Sequence, residues 1–135
     1  MNRLSKQGGF TMIELTIVAA IISILTSIYI PEFTKYAERG KRIEAEVLLG
    51  SIASCQMHHK LSSGVYVACP LNPSAPKGTW DANMPEWKRI GFRVTSNLHF
   101  QYEVLADDIG FIAYARGGSL GVYEISSSNL SPRKR

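Results

Sequence analysis

A chain of 135 residues, 45% of them hydrophobic, supports one modest domain together with one membrane anchor. The formal net charge of +4 gathers largely at the two ends, at Arg3 and Lys6 and again at Arg133, Lys134 and Arg135, which excludes a basic stripe of nucleic-acid-binding type. Two cysteines, Cys55 and Cys69, form neither C-x-x-C nor C-x-x-C-H, so thioredoxin-like and c-type haem motifs are excluded as well.

In chain order, the first feature is an apolar run from Leu15 to Ile30, long enough to reach across a bilayer. Glu14 stands just inside it. A charge at the bilayer centre costs roughly 2.5 to 3.5 kcal/mol, so Glu14 either marks the edge of an ordinary anchor or has a partner and a task. A secretory signal peptide fits poorly, because the run ends in "SIYIPEF" without a small-x-small cleavage site. Two Lys/Arg residues precede the span and four follow closely (Lys35, Arg39, Lys41, Arg42), so the positive-inside count alone would put the long domain in the cytoplasm.

From Phe10 to about Leu61 no strong breaker interrupts the chain, and one continuous helix is expected. Pro31 removes a backbone donor and its ring conflicts with the carbonyl of Ser27. With β-branched Thr26, Ile28 and Ile30 just upstream, residues 23 to 31 read as the weakest part of that helix. Beyond it, Tyr36, Gly40, Ile43, Val47, Gly50, Ser54, Met57 and Leu61 recur in steps of four and three. Leu48, Leu49, Ile52 and Cys55 point another way, so the helix must be covered on two sides, one by the chain's own sheet and the other by neighbouring subunits.

Residues 62 to 90, with Pro70, Pro73, Pro76 and Pro85, form a long connection that must be tied down, with Cys69 as the candidate tie and Trp80 and Trp87 as aromatic anchors onto the sheet. "HFQYEVL", "FIAYAR" and "LGVYEI" have strand composition, and "GFRVT" (91 to 95) could add an edge strand. The expected fold class is α+β: a long N-terminal α-helix, transmembrane then amphipathic, packed against a three- to four-stranded antiparallel sheet. The closing "SSSNLSPRKR" reads as a mobile tail, soluble or in contact with polyanions such as DNA.

Several groups invite a chemical role. Cys55 and His59 lie four apart on a helix but lack a second pair of zinc ligands, and His58 reads as a surface residue. Asp107 and Asp108 suit a hairpin turn better than a calcium loop. No nucleophile, base and orienting acid occur in a recognisable motif, so a non-enzymatic protein with no cofactor and no metal is expected.

The stretch "KQGGFTMIELTIVAAIISIL" resembles the leader and first helical turns of type IV pilins and the related pseudopilins of type II secretion. It combines a short basic leader, Gly9 before Phe10, a glutamate five residues past that junction, a long apolar helix and Pro31 near its outer end. The resemblance covers Lys6 to about Tyr36. Ser23 departs from it, since family members commonly carry Gly there. The resemblance implies cytoplasmic cleavage between Gly9 and Phe10 by a prepilin peptidase, N-methylation of Phe10 and export of everything beyond the span, which overrides the charge count. It also implies that Glu14 meets the amine of Phe10, its own or a neighbour's, in a filament core. Both cysteines then reach an oxidising compartment, where a Cys55 to Cys69 disulfide is expected, and the absence of a C-terminal pair departs from many family members.

The resulting organisation is a cleaved leader (1–9), a transmembrane and filament-core helix (10–31), an amphipathic helix (32–61), a loop (62–90), a sheet (91–126) and a basic tail (127–135). The implied function is that of a major pilin, held in the inner membrane with its head periplasmic and then polymerised with identical subunits into an extracellular pilus for motility, adhesion or DNA uptake. Implied partners are the peptidase, the inner-membrane assembly machinery and, before assembly, membrane lipid. A pseudopilin or minor pilin is the alternative within the family; a monomeric, membrane-anchored periplasmic binding module is the alternative outside it.

Overall fold

The computed structural model describes residues 9–135, so all of the expected leader except Gly9 lies outside the described residues. The chain divides into two compact units, Met1–Ala37 and Glu38–Arg135, each described by itself. A single helix, α1 (Met12–Ser63), contributes to both.

In the first unit the described residues are almost wholly helical. Thr11 and Glu14 start α1 with a reciprocal pair: the Thr11 backbone N–H and hydroxyl each donate to Glu14 Oε2 at 2.8 Å, and the Glu14 N–H donates to Thr11 Oγ1 at 3.3 Å. This is a capping box, which satisfies orphan donors at a helix start. The hydroxyls of Thr16, Ser23, Thr26 and Ser27 donate to Ile13, Ala19, Ile22 and Ile24 carbonyls, so the polar atoms of an apolar run are satisfied within the helix itself. α1 is continuous through Pro31, as the sequence reading of one helix from Phe10 to about Leu61 requires.

In the second unit α1 buries Ala45, Leu49, Ile52, Ala53 and Gln56, a stripe spaced by four, three, one and three residues. These join one apolar core with the inward residues of an antiparallel sheet. The sheet has five strands rather than three or four: β1 (Cys69–Asn72), β2 (Gln101–Ala106), β3 (Phe111–Arg116), β4 (Val122–Ser126) and β5 (Asn129–Lys134), in that order across the sheet. Tyr102 and Val104, Phe111, Ala113 and Ala115, and Tyr123 and Ile125 alternate inward.

The two extra strands correct the sequence reading. The tail does not hang free, because Ser127 and Ser128 make a tight turn and β5 pairs back onto β4. Arg133 meets Glu124 at 2.8 Å across that pair. Pro132 sits on an outermost strand, where its missing N–H costs no ladder bond on the open side. On the other edge, β1 emerges from the proline-rich segment, and Pro70 is tolerated there for the same reason. Residues 91–95 form no strand; Gly91 takes φ 75° and Phe92 turns inward against the tryptophans. A short helix α2 (Pro85–Arg89) begins with proline at its first turn.

Candidate assembly and processing site

The expected processing junction lies immediately before α1. Phe10 is 91% exposed, and a Cβ added to Gly9 would meet nothing within 4 Å. Glu14 follows one turn later, its carboxylate drawn back toward Thr11 and hence toward the chain entering the helix. From Phe10 to Tyr36 the large apolar side chains stand half exposed or more, among them Ile13, Ile24, Leu25, Tyr29 and Phe33. The helix is long and apolar enough to cross a membrane, with a mean hydropathy of 2.2 over its best window and none of that window covered by the chain. Tyr29 and Phe33 stack at 6.2 Å along it. The T-x-x-E signature of the capping box stands in the sequence at residues 11 to 14.

The disulfide expected between Cys55 and Cys69 is not formed: both are free thiols. Helix geometry supplies the reason, since neighbouring residues diverge by about 100°. Gln56, one position on from Cys55, is the residue that faces the 67–69 segment. Its amide donates to the Val67 carbonyl at 2.6 Å, accepts from the Val67 N–H at 3.0 Å and lies 3.8 Å from Cys69 Sγ. Asn72 clasps Asp81 in the same manner, at 2.9 and 3.0 Å. Two buried amides therefore perform the tying that the sequence reading assigned to Cys69. Burial, and then the Glu86 carboxylate, push the Cys69 thiol up from 9.0 to about 12; burial raises Cys55 as well. A thiol reacts through its thiolate, which here forms only as pH climbs toward that raised value. Cys69 is accordingly expected to resist alkylation at pH 8 in the native chain and to react promptly in urea; prompt native labelling would contradict its burial.

Trp80 and Trp87 are anchors, as expected. They are 6% and 1% exposed, meet edge to face at 4.8 Å, and Trp87 Nε1 donates to the Pro70 carbonyl at 2.9 Å. Asp107 is a turn residue: its carboxylate accepts from the Ile109 and Gly110 amides at 2.9 and 2.6 Å, which hold it below the usual carboxylate range. His59 bonds to Ser63 and the Val65 carbonyl, closing the end of α1. Among the described residues no group of three or more His, Cys, Asp or Glu side chains is placed to hold a metal ion.

Sequence reasoning missed Glu44 and His99. Glu44 accepts from the His99 N–H at 2.9 Å and meets its Nδ1 at 2.7 Å, joining α1 to the segment that enters β2. Burial, and then this carboxylate, raise the Tyr102 phenol above its ordinary range. No local signal links residues 55 apart.

An exposed apolar helix, long and apolar enough to cross a membrane, continuing into a helix and sheet core, defines the class of α+β proteins with a long N-terminal helix. Residues 4–30 match the prokaryotic N-terminal methylation motif. The chain is 50% identical over 51 residues to the type IV major pilin protein PilA of Myxococcus xanthus, covering 38% of this chain and 23% of that protein. It is 38% identical over 66 residues to the type IV major pilin protein PilE of Neisseria gonorrhoeae (49% of this chain, 38% of that protein). Against the type IV major fimbrial protein FimA of Dichelobacter nodosus it is 37% identical over 67 residues (47% and 42%). Each alignment spans less than half of the relative's own length. Over its N-terminal part the chain is therefore similar to type IV major pilins and carries the methylation motif.

Proposed function

We propose that this chain is a major pilin: a non-enzymatic subunit cut between Gly9 and Phe10 by a prepilin peptidase, N-methylated on Phe10, and polymerised through α1 into a pilus. The observation that carries the reading is the uncovered apolar surface of α1 from Phe10 to Tyr36, which no part of its own unit shields. A contiguous apolar face of that size needs another covering. Lipid supplies it while the subunit waits in the inner membrane with its head periplasmic, and α1 of other copies supplies it in the filament. Glu14 then exchanges its bond to Thr11 for one to the amine that cleavage creates on Phe10, its own or a neighbour's. The relatives are named major pilins and fimbrial proteins, which favours this role over that of a secretion pseudopilin.

The test is mass spectrometry of subunits from sheared surface filaments. They are expected to begin at methylated Phe10 and to make up most of the filament. A membrane-held protein that retains residues 1 to 9 and never enters a filament would leave the monomeric anchored module as the reading.

A further inference from the structure

We propose that, within the filament, the β2–β3 turn of one copy docks into a cleft at the opposite pole of the second unit of another copy. The inference rests on the filament reading. Lys60 Nζ donates to the Asp108 carbonyl at 3.1 Å, so the turn sits beside the C-terminal end of α1. The cleft lies at the other end of the same unit. It holds about 160 Å³ and is lined by Glu38 and Arg42 of α1, Ser119, Leu120, Tyr123 and Lys134. Arg42 and Lys60 are 18 residues apart on one helix, roughly 27 Å along its axis. The two features therefore cannot meet within one copy.

They are complementary. The turn presents Ile109, 92% exposed, between the carboxylates of the exposed Asp107 and Asp108 and the Gly110 amide. Its shape is fixed by the bonds from Ile109 and Gly110 to Asp107. The cleft presents a guanidinium and an ammonium against one carboxylate, so it favours an anionic occupant, and half-buried Leu120 offers an apolar wall for Ile109. Its volume suits a side chain or two, below the range of about 300 to 1,000 Å³ typical of small-molecule sites. A contact between two different patches on identical subunits is head to tail, and unless its rotation closes a ring it propagates as an open helical polymer. Charge complementarity and open geometry both point to a second copy as the occupant.

Two experiments on the full chain in filament-forming cells test this. Asp108→Arg and Arg42→Asp are each expected to lower sheared filament at least ten-fold at unchanged levels of membrane-held subunit, and the two together are expected to restore it. In a background with Cys55→Ser and Cys69→Ala, Ile109→Cys with Ser119→Cys is expected to give a ladder of covalent oligomers in oxidised filaments, whereas either alone gives none. Filaments without a ladder, wild-type yield from both reversals, or failure of the double variant to recover would each overturn the contact. Loss of membrane-held subunit in Arg42→Asp would assign the cleft to an anionic lipid headgroup instead. If the unmodified chain forms no filament, the filament reading fails first and this contact falls with it.

Discussion

Glu14→Val is expected to remain inserted and largely cleaved while its sheared filament falls at least ten-fold relative to membrane-held subunit. An apolar residue at this position costs nothing in lipid, so insertion should not suffer. The deficit arises in the filament, where the Phe10 amine is left without a partner; an unpaired charge in an apolar core costs several kcal/mol, and about 1.4 kcal/mol is a factor of ten. The capping box introduces a second explanation, because Val also removes the carboxylate that accepts from the Thr11 N–H and hydroxyl, leaving only the backbone bond from residue 14 to Thr11 Oγ1 and weakening the helix start. Glu14→Gln separates the two. Glutamine can serve in a capping box but carries no charge. A filament yield restored by Gln would assign Glu14 to helix capping, whereas continued failure with Gln assigns it to pairing with the amine. Wild-type yield with Val would return Glu14 to the edge of an ordinary anchor.

The parts of the molecule legible in the sequence are those in which one residue type dictates its own geometry. The unbroken helix follows from the absence of breakers between Phe10 and Leu61, and the structure extends it only to Ser63. The outward seam of Ile43, Val47 and Leu61 is exposed, and Leu49 and Ile52 are buried, as their spacing requires. Of the three strands legible in composition, β2 and β3 flank a turn whose Asp107 carboxylate accepts from two amides. What stayed hidden depends on partners distant in sequence. β5 carries Ser, Pro and two charges and has no intrinsic strand signal; its order comes from the ladder to β4 and the Arg133 to Glu124 pair. β1 needs β2 beside it before "CPLN" can be extended. Composition points to a cysteine as the tie of the long loop because a thiol pair is legible there, whereas a glutamine that bonds both polar groups of Val67 is visible only after folding.

Trp87→Ala is expected to destabilise the second unit by about 3 to 5 kcal/mol, the usual cost of truncating a buried large aromatic. Against a typical total of about 5 to 15 kcal/mol, that is a large share of the fold's margin. Three losses coincide at this residue. The cavity lies beneath Trp80 and Phe92, whose rings stand 4.8 and 5.6 Å from that of Trp87. The Pro70 carbonyl loses its donor at 2.9 Å on an outermost strand, next to Cys69. And α2 loses its sole buried residue, which holds it against β1. Trp87→Phe keeps much of the ring packing and removes the donor, so it should fall between the two. Urea unfolding of the full chain in detergent, followed by circular dichroism, reads the stability change. Cys69 reports where the loss is felt: it is 2% exposed in the intact fold, and it should become open to alkylation at pH 8 in Trp87→Ala at urea concentrations where the rest of the sheet still holds. If the variant lost stability without earlier labelling of Cys69, Trp87 would be supporting the core as a whole and not the seating of β1 and its loop. A cost under about 1 kcal/mol would show that the aromatic cluster re-forms around alanine, and the anchoring role would be withdrawn.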